Sequence, residues 1–204
     1  MKPNQRGQLM AGNERWWLPH GVPEGRTLDC QLGPLSLHIH RDRGEWHLAL
    51  EEGEETDAAT GATLALRDGG IDTDSFERFM FARPDETVIL MPVLADRPVV
   101  IRPRQPVFLP SGEETLMYLS SPLSLRVEAG DPAVLLRELP MLRLSDTWFG
   151  PSTREGELCY SGKTHARHTL AEVPRRTHRA ITPLRVRNEA ATPLPLDKIS
   201  LPVP

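Results

Sequence analysis

Leu35 to Leu50 reads LSLHIHRDRGEWHLAL, a run of alternating apolar and polar residues broken once by Asp42-Arg43-Gly44. Alternation places successive side chains on opposite faces of a strand, and a short break containing glycine is a tight turn, so the stretch predicts a β-hairpin. Closing it with Arg43-Gly44 as a two-residue loop sets Ile39 opposite Leu48 and Leu37 opposite Leu50, with Trp46 on the same apolar face. His38, His40 and His47 then share the other face. The same grammar extends outward. ATLALR, FERFMFAR and TVILMPVL are further strand-like runs, the second equally compatible with one helical turn, and an acidic loop from Glu51 to Asp57 separates them from the hairpin.

Beyond Asp96-Arg97-Pro98 the chain becomes a series of brief apolar runs punctuated by proline, with turn signals about every eight to twelve residues, the spacing of a sandwich or barrel. Proline is 20 of 204 residues. Each removes a backbone donor and fixes φ, which excludes long helices and pushes proline-bearing strands to edges or bulges. One short helix is expected after Asp131-Pro132, over AVLLREL, with Asp131 as N-cap and Pro132 at N1. The fold class expected is therefore all-β, built of antiparallel β-sandwich units with few or no long helices. The division expected is 1–95, an N-terminal β-rich unit, and 96–204, a C-terminal and immunoglobulin-like sandwich; one large domain is the alternative.

No apolar run approaches the roughly 18 residues of a membrane-spanning helix, and the N-terminus has no apolar core of a secretory signal, so a cytoplasmic location is expected. Cys30 and Cys159 lie far apart without C-x-x-C spacing and read as reduced thiols near a core. Residues 1–150 carry a net charge of −8 and 151–204 a net +4, summing to −4 for the chain. The basic quarter has only Tyr160 to stack on bases, so nucleic acid is not an expected partner.

Three stretches carry possible chemistry. Gly33-x4-His38-x-His40-x4-Glu45-x7-Gly53 resembles the first motif of the cupin barrels, with both glycine spacings off by one. Imidazoles at i and i+2 lie on one side of a strand, so His38, His40 and Glu45, with His47 as a further ligand, are the candidates for one divalent metal. The second cupin motif is absent: Pro110-Ser111-Gly112 is followed by no histidine at the required place. Gly156-x5-Gly162-Lys163-Thr164 is one residue too long for a phosphate-binding loop and reads as a turn. Ser145-Asp146-Thr147-Trp148-Phe149-Gly150-Pro151 joins two large aromatics to a carboxylate at a break in the chain. It reads either as a structural corner with Trp148 and Phe149 in the core, or as an exposed binding anchor.

The same region carries a family resemblance. Asp-Thr-Trp-Phe-Gly at 146–150, Gly-Glu-Leu-Cys-Tyr at 156–160 and Arg-Val-Arg-Asn at 185–188 resemble the second half of an uncharacterised prokaryotic family catalogued as domain of unknown function four-three-two. The resemblance covers roughly the last 110 residues and more loosely the first 90. It implies a soluble β-rich protein with no established activity, and a loose association with small-conductance mechanosensitive channels as partner.

No catalytic constellation meets its spacing, which favours a non-enzymatic binding or accessory module without cofactor. Its expected partner surface is Asp146, Trp148 and Phe149, with His165, Arg167 and His168 nearby. The alternative is a cupin-like metal-dependent enzyme using His38, His40 and Glu45.

Overall fold

The computed structural model describes residues 8–9, 15–56, 59–83, 85–103, 105, 107–164 and 167–202. It is all-β: no α-helix occurs among these residues, and a 3-10 turn covers Leu170–Glu172. The chain forms two compact units, each assembled from separate stretches.

The first unit takes Met1–Val93, Ser124–Leu142 and Arg176–His178. Its larger sheet contains β1 (Gln8–Leu9), β3 (Arg26–Leu32), β4 (Leu35–Asp42), β5 (Glu45–Glu52), β6 (Ala62–Asp68) and β7 (Glu77–Met80). The strand order is β1-β6-β3-β4-β5-β7, antiparallel throughout. The β4–β5 hairpin has the register set by its alternation, with Leu37 opposite Leu50 and Ile39 opposite Leu48. Arg43 and Gly44 both adopt positive φ, 42° and 85°, as a type I′ turn requires. One face buries Leu28, Cys30, Leu32, Leu35, Leu37, Ile39, Trp46, Leu48 and Leu64. The other carries Thr27, Asp29, His38, His40, His47 and Arg67, the complementary alternation on β3 to β6.

A second sheet orders β12 (Val134–Pro140), the distal part of β11 (Glu114–Ala129), β8 (Thr87–Leu94) and β2 (His20–Gly21). β12 replaces the helix expected after Asp131-Pro132, and the peptide between those two residues is cis, in a turn. Leu136 and Leu139 are both buried, a spacing that mimics a helix face. Its cause is a bulge. Val127 pairs Arg137 while Glu128 pairs Leu135, so Leu136 is an extra residue that shifts the phase of the strand.

The second unit takes Leu94–Leu123, Arg143–Arg175 and Arg179–Pro204. A four-stranded sheet orders β13 (Ser145–Phe149), β14 (Glu157–Thr164), β9 (Val99–Pro103) and β17 (Ile199–Leu201). β9 and β14 run parallel, whereas β13 pairs β14 and β17 pairs β9 antiparallel. Gly162, Lys163 and Thr164 lie inside β14 rather than in the turn their spacing suggested. The proximal part of β11 pairs β15 (Arg179–Arg187), and β10 (Phe108–Leu109) pairs β16 (Leu194–Pro195). The core here is Val99, Ile101, Leu109, Met117, Leu119 and Leu196, with Tyr160, Leu184, Val186 and Ile199 packed against it.

Candidate functional site

β13 is an edge strand and presents the aromatic segment. Asp146 pairs Tyr160 and Trp148 pairs Leu158, so these four side chains share one face of the β13–β14 ribbon. Tyr160 packs on the core, but the face continues beyond it: Trp148 is 42% exposed and Leu158 46%. Trp148 is thus outside the core, and the corner reading of this tryptophan does not describe it. Its indole N–H donates to the Ser152 carbonyl at 2.8 Å, and the Ser152 hydroxyl accepts from the Arg154 and Glu155 amides at 3.2 and 3.1 Å. The loop after β13 therefore holds the ring in place while leaving its face in water.

Charged groups lie on both faces of the ribbon, beside Tyr160 on the Trp148 face and beside Phe149 on the other. Arg97 lies 3.5 Å from the Asp146 carboxylate and 5.5 Å above the Tyr160 ring. The Tyr160 hydroxyl donates to Asp96 at 2.8 Å, and that bond, with burial, pushes the phenol above its ordinary range. Phe149 is half-buried, with the Lys198 ammonium 5.1 Å from its ring centre. Arg167 pairs through its backbone with Tyr118 on β11, and His168 is exposed. Among the described residues no hydrogen bond or ion pair joins Arg167 or His168 to β13; His165 lies outside the described residues.

The histidine face of the first unit has a different character. His38 Nδ1 lies 2.7 Å from Asp29 Oδ1, whose other oxygen accepts from Arg67 Nε at 2.7 Å. His40 Nδ1 lies 2.9 Å from the Arg26 carbonyl and 3.0 Å from Thr27 Oγ1, while the Thr27 hydroxyl donates to the Gly69 carbonyl. Since both acceptors of His40 lack a proton to give, Nδ1 carries the hydrogen. Burial holds the His40 pKa below its ordinary value despite the Arg26 carbonyl. His47 Nε2 donates to Glu45 at 3.0 Å, its ring stacks on Phe76 at 4.8 Å, and it lies 5.6 Å from the His40 ring. Both oxygens of Glu45 are taken by Arg78. Hydrogen bonds from His47 and Arg78 hold the Glu45 carboxyl below its ordinary value.

Sequence reasoning missed Asp29 and Arg67. The signal was present in the alternation of RTLDCQL, which puts Thr27, Asp29 and Gln31 opposite the face of Leu28, Cys30 and Leu32. Among the described residues no three histidine, cysteine or acidic side chains are placed to hold a metal ion as they stand.

Residues 16–204 match the family described as Protein of unknown function (DUF432). The chain belongs to that family. No curated protein and no solved structure matches this DUF432 chain. No helix among its described residues is long and apolar enough to cross a membrane.

Proposed function

We propose that this chain is a non-enzymatic binding or accessory module whose partner surface centres on Asp146, Trp148 and Phe149. The observation that carries this reading is the exposed, hydrogen-bonded Trp148 set beside exposed Leu158. A large aromatic held rigid at the surface beside a second exposed apolar side chain has the composition of a binding hot spot. Arg97 and Asp146 supply charged groups on the same face as Trp148, and β13, an edge strand of its sheet among the described residues, offers main-chain groups to an extended partner segment. A cytoplasmic address suits two buried free thiols. A membrane channel, the partner class implied by the family resemblance, is the first candidate to test.

The test is affinity capture from the native host with wild type and Trp148→Ala, read by quantitative mass spectrometry alongside melting temperature. A partner lost only in the variant, at a melting temperature lowered by no more than about 2–4 °C, supports the reading. Identical captures from the two proteins overturn it.

A further inference from the structure

The imidazoles of the first unit are organised as metal ligands usually are. A histidine that binds a metal through one ring nitrogen almost always gives its other N–H to a carboxylate or a backbone carbonyl, which fixes the tautomer. His38 does this with Asp29, His40 with the Arg26 carbonyl and His47 with Glu45. The opposite nitrogens, His38 Nε2, His40 Nε2 and His47 Nδ1, make no hydrogen bond among the described residues. None of the three is among the buried, unpartnered polar atoms, so all reach solvent. Three lone pairs are thus left on one face of one hairpin.

The register brings them together. His40 and His47 are directly opposed, with ring centres 5.6 Å apart, close to the about 5 Å expected of two imidazoles sharing an ion at metal–nitrogen bonds of about 2 Å. His38 lies two residues along the same strand, opposite Ala49 and diagonal to His47. We propose that His38, His40 and His47 form an imidazole site for a divalent transition ion such as Zn2+, completed by water, with Asp29, the Arg26 carbonyl and Glu45 as outer supports. Imidazole donors suit zinc, copper and nickel rather than calcium or magnesium. The three donors do not converge in the ion-free arrangement, so binding requires the rings to turn toward one another. Glu45, held on both oxygens by Arg78, is a support and not a ligand. This inference is independent of the partner surface on β13.

The experiment titrates Zn2+ alone into the untagged, metal-free, full-length chain by calorimetry. Expected is one equivalent bound with micromolar or tighter affinity, weakened at least about tenfold in His38→Ala and in His47→Ala, and retained within about tenfold in Glu45→Gln. Absence of binding by the wild type, or undiminished binding in a doubly substituted His38→Ala/His47→Ala chain, overturns the site. Loss of all binding in Glu45→Gln overturns the ligand set. A measurement on the wild type needs no variant to fold. In nitrogen-15 imidazole spectra, Zn2+ must shift Nε2 of His38 and His40 and Nδ1 of His47, and unshifted resonances end the proposal.

Discussion

Gly33 shows how far a single residue constrains this fold. It opens the β3–β4 turn at φ 65°, and a Cβ there would come within 2.0 Å of the His178 ring. His178 is buried, its Nε2 donates to the Glu55 carboxylate at 2.9 Å, and segment 176–178 belongs to the first unit. Gly33→Ala combines a left-handed backbone with a ring clash and should cost at least about 2 kcal/mol, read by urea unfolding. The cysteines give a second expectation. Burial raises the thiol pKa of both, and for Cys30 the neighbouring Asp29 adds to the effect. A disulfide-exchange reagent at pH 8 should therefore label neither in the native chain, and both after denaturation. Residue roles of this kind were legible only in part. Cys30 and Cys159 are both buried, as expected, Cys30 because the alternation of RTLDCQL puts it on the apolar face with Leu28 and Leu32. The partners Asp29 and Arg67 are 9 and 38 positions from the groups they hold, His38 and Asp29, and only strand register reveals such distances.

At the scale of elements, the β4–β5 hairpin was readable to the residue, because alternation and a two-residue turn jointly allow one register. β12 was not. Its bulge at Leu136 breaks the two-residue period, and the buried Leu136 and Leu139 then imitate a helix in sequence. The fate of Trp148 was also illegible, since a tryptophan on an edge strand follows the same alternation whether or not something covers it. With its ring 42% exposed, Trp148→Ala should cost no more than about 1 kcal/mol, measured by chemical unfolding. The Glu45–Arg78 pair joins β5 to β7 and gives a pH expectation. The Glu45 value in the folded chain lies below its ordinary 4.5, so the pair's contribution is complete above that value and is lost as pH falls through the lower, folded one. Arg78→Ala should therefore move the acid-unfolding midpoint to higher pH, followed by circular dichroism.

For the whole molecule, the all-β class followed from proline density and turn spacing, which leave no stretch able to sustain a long helix. Interleaving of the two units did not follow from those signals. The first unit ends its leading stretch at Val93, near the change of pattern in the sequence, yet it also takes 124–142 and 176–178. Return segments of this sort leave no mark in composition. A fragment ending at residue 95 retains β8 without its neighbour β11, and it should show no cooperative thermal transition, whereas the whole chain should.

The placing of β9 has a consequence for biosynthesis. Val99, Val100 and Ile101 are almost completely enclosed in the folded chain, yet both strands that flank them, β14 and β17, are encoded downstream. At translation speeds of about 5–20 residues per second, the roughly 100 residues from β9 to β17 take on the order of 5–20 s to emerge. For more than half of that interval, until β14 is made, a short, β-prone, uncharged segment waits with neither neighbour present. Nascent chains of this protein should therefore depend on a holding chaperone, and slowing translation near its 3′ end should lower the soluble yield more than slowing it near the 5′ end.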